Sequence, residues 1–266
     1  MLLQLSPSSY NGRRNLFAAL RWTLLGIWMV CALSSAAPLA EPDGAAHLNE
    51  FQFIRLIYAN NQCFRNRRSS WTTDAPAAET HLLDGIRRLT RVDATIEGKA
   101  LSIMDERLFD YPFVYAVEVG HWYLNDAEAQ RLREYLLRGG FLVVDDFHGT
   151  QEWQCFLDSM KRVFPDRPIV DLAEDDGVFH VVYDVDHRIQ IPGLWGAING
   201  QSWEKDGYIP YWRGIYDDEN RLMVAINFNM DLGDAWEHAD NPEYPVPMTT
   251  LAYHFAIDYL VYAMTH

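Results

Sequence analysis

Short apolar runs alternate along the chain with stretches whose apolar residues recur at helical spacing. Runs between turn signals are typical of buried strands, and the clearest are 51–58, 113–119, 141–144 and 221–228. Weaker strand candidates occupy 92–96, 101–104 and 169–172. Helices are predicted between them, beginning at Asp74, at Asn125 and near Glu152, with a closing helix over 248–265. We expect 173–220 to be irregular and 230–247 to form an acidic, aromatic loop.

Polar residues mark where two of these helices begin. Asn125 precedes a helical pattern, and Glu128 three residues later completes a capping box. Asp74 suits an N-cap position, and Pro76 is tolerated in the first helical turn. The resulting β-α-β-α-β order predicts an α/β fold with a mostly parallel sheet and helices on both faces.

The first forty residues differ in composition from the rest of the chain. Three arginines precede an almost wholly apolar run at 22–33, and these forty residues contain no acidic residue. Residues 34–40 are rich in small residues. This order is typical of a secretory signal, with cleavage after Ala36 or Ala40. The RRNLF sequence at 13–17 leaves a twin-arginine signal and a plain Sec signal as alternatives. An uncleaved anchor is the other alternative, although an apolar core of about twelve residues is shorter than the roughly twenty that span a bilayer.

We therefore expect three segments. Residues 1–40 form a signal peptide or N-terminal anchor, 41–50 a loose lead-in, and 51–266 a single domain large enough to bury a sizeable core. The protein is expected to be exported, either periplasmic or extracellular, and tethered to the membrane if the anchor is retained.

The chain has 266 residues and a formal net charge of −15, which disfavours nucleic acid as a partner because phosphate binding needs a basic surface. Of the cysteines, Cys31 lies within the signal, whereas Cys63 and Cys155 either pair or remain free thiols. Nothing near them has zinc-ligand spacing. No cofactor is strongly implied, and a divalent metal stays open.

Acidic residues and a histidine follow the strand predicted at 141–144. Asp145 and Asp146 come directly after it, and His148 follows two residues later. The preceding strand ends near Glu118 and His121. Because the carboxyl ends of parallel strands meet at one edge of a sheet, we expect these groups to gather there. They suit acid/base chemistry or metal binding, with helix capping by one aspartate as the alternative.

A second group of candidates lies toward the carboxyl end. Asn227, Asp231 and Trp236 crowd one loop, where oxygen ligands suit calcium and a carboxylate beside tryptophan suits a sugar. A structured acidic loop is the alternative. His187 is the best general-base candidate because its ordinary pKa is near 6.5; a purely structural histidine is the alternative.

Three residues nearer the start complete the predicted pocket. Trp71 and Asp74 are expected at its mouth. Arg55 lies in an apolar strand, where a charge is unusual unless paired, so we expect a buried ion pair with Asp105 or Asp145. Binding of an anion by Arg55 is the alternative.

Six motifs occur in order along the chain: FxFIRLIY, WTTDAPAAE, DERLFDYP, GGFLVVDDFHG, DHRI and NFNMDLGDAWE. In this order they resemble the bacterial domain of unknown function 4159 family over roughly 49–266. The resemblance implies a three-layer flavodoxin-like, class I glutamine amidotransferase-like fold in exported or tethered proteins. Ala75 and Thr80 depart from the tyrosine and asparagine common in the family. Asp145 stands where the nucleophilic cysteine of a glutaminase would be expected, so amidotransferase activity is not expected.

Together these observations favour a binding or accessory module of the cell envelope, with a polar and aromatic pocket at the strand ends. Its expected ligand is a small molecule or a saccharide, and envelope or membrane-associated proteins are candidate partners. The alternative is a hydrolase acting on carbohydrate or a related small substrate. Asp145, Asp146 and His187 would then act as acid and base, with or without a metal.

Overall fold

The computed structural model describes residues 50–60 and 71–266, which belong to one compact unit, His47–His266. The strands are β1 (Ile54–Ile57), β2 (Ala59–Asn60), β3 (Lys99–Ser102), β4 (Phe113–Val117), β5 (Trp122–Tyr123), β6 (Phe141–Asp145), β7 (Val170–Asp171), β8 (Tyr211–Tyr216) and β9 (Leu222–Phe228). The α-helices are α1 (Ala77–Leu89), α2 (Asp126–Leu137), α3 (Gly149–Val163), α4 (Leu194–Asn199), α5 (Leu232–Glu237) and α6 (Val246–Thr265).

The central sheet is mostly parallel, as predicted. Its strand order is β3-β1-β4-β6-β9-β8-β7, and β2 pairs separately with β5. The five neighbouring strands β3, β1, β4, β6 and β9 run parallel to one another, whereas β8 is antiparallel to both β9 and β7. The order of the parallel strands is that of flavodoxin-like sheets, in which ligands bind beyond the carboxyl ends of the strands.

Two hydrophobic cores cover the two faces of the sheet, because successive strand residues point to opposite faces. Phe53, Tyr115 and Val143 belong to the core shared with α1, α5 and α6. Val114 and Leu142 belong to the core shared with α2 and α3. The three-layer α/β architecture predicted from the sequence is therefore confirmed.

The start of α2 matches its predicted capping box. The Asn125 side chain accepts from the amides of Ala127 and Glu128 at 3.0 Å each, and the Asn125 amide donates to the Glu128 carboxylate at 2.9 Å. The start of α1 does not match. Asp74 has a φ of +63°, whereas an N-cap residue is usually extended, and Pro76 precedes the helix instead.

Three other predictions need correction. Residues 92–96 form no strand and contribute only a bridge between Phe51 and Ala94. The region 173–220 was expected to be irregular, but it contains α4 and β8. The loop expected at 230–247 contains α5, whose first turn is capped by an aspartate.

The predicted signal segment 1–40 and most of the lead-in 41–50 lie outside the described residues. Within the described part of the chain, every helix is too short or too polar to span a lipid bilayer. Cys155 is disulfide-bonded, and the other cysteines, Cys31 and Cys63, lie outside the described residues.

Candidate functional site

Three aspartates from different strand-end loops meet at the carboxyl edge of the sheet. Asp74 lies in the connection between β2 and α1, Asp146 follows β6 and Asp231 follows β9. One carboxylate oxygen from each lies within 4.8 Å of those from the other two. We call Asp74, Asp146 and Asp231 the triaspartate cluster. The parallel sheet thus brings together residues that are up to 157 positions apart, which is the convergence expected from the sequence.

The backbone at this edge takes an uncommon conformation at several positions. Asp74 and Asp146 have φ values of +63° and +51°, and Asn229 next to the third loop has +64°. Left-handed backbone is infrequent in residues other than glycine, and it clusters at functional sites. At both aspartates this conformation turns the backbone away from the path of a regular helix or strand.

Burial makes the negative charges of the cluster costly. Asp146 is 8% and Asp231 5% exposed. Burial, together with the charges of Asp146 and Asp234, raises the pKa of Asp74 to about 9. Burial and neighbouring carboxylates also raise the pKa values of Asp146 and Asp231 well above their ordinary range. Carboxylates held together in this way must bind protons or be neutralised by a cation.

Asp145 lies beside the cluster but has a different set of contacts. Its Oδ2 atom accepts from the Tyr115 hydroxyl at 3.1 Å and from the amides of Leu232 and Gly233 at 2.7 and 3.1 Å. Burial raises the pKa of Asp145 to about 7, and these hydrogen bonds oppose the rise. The side chain therefore fixes the first turn of α5 against the end of β6.

Two oxygens of this region are buried without a hydrogen-bond partner among the described residues. They are Oδ2 of Asp74 and Oδ1 of Asp145. The charge of the wholly buried Asp145 acts on both Asp146 and Asp231. The Asp74 oxygen lies against Gly233, where a methyl group would overlap it. Buried acceptors are usually hydrogen-bonded, so a water, a proton or an ion is expected at these oxygens.

Asp231 has one oxygen engaged and one facing a neighbouring loop. Its Oδ1 atom accepts from the Asp234 amide at 2.8 Å and caps α5. A methyl group placed on Gly193 would lie 2.9 Å from Oδ2 of Asp231. Asp234 in turn accepts from the Leu194 amide at 2.6 Å, so α4 and α5 both begin at this edge.

Arg55 forms a buried ion pair, but its partner differs from the prediction. The guanidinium pairs with Glu79 of α1, not with Asp105 or Asp145. Asp105 instead pairs with Arg107 at 2.6 Å. Glu79 lies in the first turn of α1, so the correct partner depended on how that helix packs on the sheet.

The same arginine also holds the loop that carries Asp74. Its Nη1 atom donates to the carbonyl oxygens of Trp71 and Thr73, at 3.2 and 2.8 Å. The Trp71 side chain is half-buried against the core shared with α2 and α3. Arg55 is thus a positioning residue for the triaspartate cluster.

The remaining predicted residues are not members of the cluster. His187 is exposed on its loop, and no contact among the described residues joins it to the aspartates. Asn227 is fully buried within β9, where its Oδ1 atom accepts from the Tyr259 hydroxyl at 2.9 Å. Trp236 is 1% exposed and packs on Tyr115 with ring centroids 5.4 Å apart, so its ring is closed to a sugar.

A second group of charges was only partly anticipated. Glu118 and His121 were expected at this edge, and Glu152 joins them from the first turn of α3. The Glu152 carboxylate lies 2.9 Å from the His121 ring and pairs with Lys205. Although burial opposes it, these two partners lower the pKa of Glu152 to about 2. No sequence signal pointed to Lys205, which the chain brings in from the region expected to be irregular.

The fold and the buried strand-end carboxylates define a flavodoxin-like α/β protein with an acidic site. The model of the family described as domain of unknown function (DUF4159) matches residues 52–264. The chain therefore belongs to the DUF4159 family, as its motifs indicated. A search of curated proteins gave no match.

Proposed function

We propose that this protein binds a divalent cation at the triaspartate cluster and uses it as the centre of a binding site. The observation that carries the proposal is the convergence of three carboxylate oxygens within 4.8 Å, from three separate loops. The buried acceptors on Asp74 and Asp145, which have no partner among the described residues, supply independent support.

The ligand set favours a hard cation. All three ligands are carboxylate oxygens, which suit Mg²⁺, Ca²⁺ or Mn²⁺ better than zinc. Oxygens bound to one Ca²⁺ at about 2.4 Å lie no more than about 5 Å apart, so the observed spacing needs little adjustment. A cation would offset the mutual repulsion of these buried charges.

The burial of the cluster favours binding over glycoside hydrolysis. Paired glycosidase carboxyls flank a sugar and are separated by roughly 5 to 10 Å. One oxygen of Asp146 and one of Asp231 lie within 4.8 Å of each other, below that range; the two residues are 8% and 5% exposed, and one oxygen of Asp231 caps a helix. The spacing of the three oxygens suits one ion, whereas their burial gives a sugar ring no access to both carboxylates.

We also propose that the protein is an exported accessory module of the cell envelope. The basic, apolar and small-residue order of 1–40 supports export. The strongly acidic composition supports a partner other than nucleic acid. Detection of the mature chain in a periplasmic or culture fraction tests the location.

The cation proposal is tested by unfolding the EDTA-treated protein with and without CaCl₂, MgCl₂ or MnCl₂. A ligand that binds only the folded state at about one hundred times its Kd stabilises it by about 2.7 kcal/mol. We expect at least one of these salts to raise Tm, and we expect Asp146→Asn and Asp74→Asn each to abolish that rise.

The control for this test is Glu118→Gln, which alters the neighbouring charge group and leaves the triaspartate cluster intact. Because asparagine removes a buried charge, the quantity compared is the difference between cation and EDTA for each variant. If no salt changes Tm, or if Asp146→Asn retains the full rise, the cluster is not a cation site.

A further inference from the structure

A cleft opens beside α3 and β8, apart from the triaspartate cluster. Its volume is about 370 Å³, within the range of roughly 300 to 1,000 Å³ common for small-molecule sites. Its lining combines aromatic, charged and amide side chains: Thr150, Trp153, Asp206, Tyr208, Tyr211, Arg213 and Asn229, with Ile209 and Phe228.

One wall of the cleft is rigid because an asparagine ties two segments together. The Asn229 side chain accepts from the Gly149 amide at 2.8 Å and donates to the Ile209 carbonyl at 2.6 Å. These bonds fix the chain that carries Tyr208, which is 64% exposed. The ring of Trp203 lies behind Tyr208 with centroids 5.8 Å apart. The result is an exposed aromatic ring on a well-defined backbone.

The floor of the cleft presents a guanidinium group in a fixed plane. Arg213 lies 4.0 Å from the ring centroid of Tyr211 and 4.6 Å from that of Trp153. Its Nε atom donates to Asp171 at 2.7 Å, and its terminal nitrogens have no hydrogen bond to the described residues. Stacking between rings orients these donors before any ligand arrives.

The lining of the cleft also presents an acceptor. Asp206 accepts from the Thr150 amide at 2.9 Å and also from the Thr150 hydroxyl. The positive charge of Arg213 is already paired with Asp171, and Asp206 adds one negative charge to the lining. The cleft therefore offers no net positive charge to an anion. The chain as a whole carries −15 and disfavours anionic ligands further.

We propose that this cleft binds a neutral pyranose sugar. Sugar hydroxyls both donate and accept hydrogen bonds, so they match the donors of Arg213 and the acceptors of Asp206 in the same lining. The C–H face of a pyranose ring is apolar and matches the exposed ring of Tyr208. This site lies on residues other than the triaspartate cluster, so the inference stands independently of the cation proposal.

Saturation-transfer NMR of the full protein tests this inference. The probes are the methyl glycosides of glucose, galactose, mannose and N-acetylglucosamine in the millimolar range, with glucuronate as an anionic comparison. We expect transfer to at least one neutral glycoside, and transfer should persist in EDTA. Tyr208→Ala and Arg213→Lys should each weaken binding by about tenfold, as for truncation of a central contact.

Tyr123→Ala is the matched control, because Tyr123 is 42% exposed and lies outside the cleft. It should bind like the unmodified protein. Transfer to none of the neutral glycosides, or to glucuronate alone, would overturn the inference. So would equal binding by the Tyr208→Ala variant and the unmodified protein, since the exposed ring would then contribute nothing.

Discussion

Asp258 in α6 offers a sharp test of how burial governs the stability of this protein. The residue is fully buried, and its Oδ1 atom accepts from the amides of Val182 and Tyr183 at 2.9 and 3.0 Å. Its Oδ2 atom has no hydrogen-bond partner in the described part of the chain. Burial raises the pKa of Asp258 to about 6 from an ordinary value of 3.8, although the two amide bonds oppose the rise.

The sign of the effect follows from this shift. The folded state binds the proton more tightly than the unfolded state. The stabilisation linked to that proton is therefore fully present below the ordinary pKa, and it is lost as pH rises through the folded pKa of Asp258, about 6. A shift of about two pKa units corresponds to about 3 kcal/mol. Asp258→Asn keeps an acceptor for both amides and removes the buried charge, so it should stabilise the protein by up to that amount at high pH.

Urea unfolding in EDTA at about pH 4 and about pH 8 measures this difference directly, because a stability difference appears as a shift of the unfolding midpoint. The variant should match the unmodified protein at the lower pH and exceed it at the higher one. Asp240→Asn is the control, because Asp240 is exposed and its replacement removes no buried charge. A variant that is less stable at the higher pH, or a difference that does not change with pH, would refute the reasoning.

Three further substitutions test other contacts by their effect on the free energy of unfolding. Arg55→Met should destabilise the fold by about 3 to 5 kcal/mol because it leaves the Glu79 carboxylate buried and unpaired, and adding Glu79→Leu should recover most of the loss. Full stability of the single variant would contradict this. Gly233→Ala should lower the free energy of unfolding by about 1 to 3 kcal/mol, because the new methyl group would overlap the Asp74 carboxylate. An unchanged Tm in calorimetry would contradict this prediction. Asn125→Ala should lower the free energy of unfolding by about 1 kcal/mol, because the capping box is lost. A smaller loss than that caused by an alanine substitution at an exposed position elsewhere would argue against this role.

Local patterns predicted the elements that local interactions decide. The apolar runs of β4, β6 and β9 and the capping box of α2 occupy their predicted places within a few residues. The sequence also predicted acidic groups at the carboxyl edge, because the carboxyl ends of parallel strands lie at one edge of a sheet. Strand β8 escaped prediction because it is only half-buried and gains its regularity by pairing with β9.

The internal geometry of the site depended on packing that no local pattern records. Arg55 and Glu79 meet because α1 packs across β1, and the sequence favoured other acids as partners. Trp236 had the composition of a binding residue but is closed off by Tyr115. The exposed rings that line a cleft, such as Tyr208, come from a segment without periodicity. The sequence alone shows which residue types each loop contains, whereas the distances between loops depend on tertiary packing.

The bonds from Asp145 to the first turn of α5 also bear on the order of folding. They join residues 87 and 88 positions apart, and they require β9 to lie beside β6. Contacts across such long separations form late, because the intervening chain loses entropy when the loop closes. During synthesis the amino-terminal strands are therefore complete long before Asp231 arrives. Cation binding would then report that the chain has folded as far as Asp231, and a chain ending before Asp231 would keep only two of the three carboxylates.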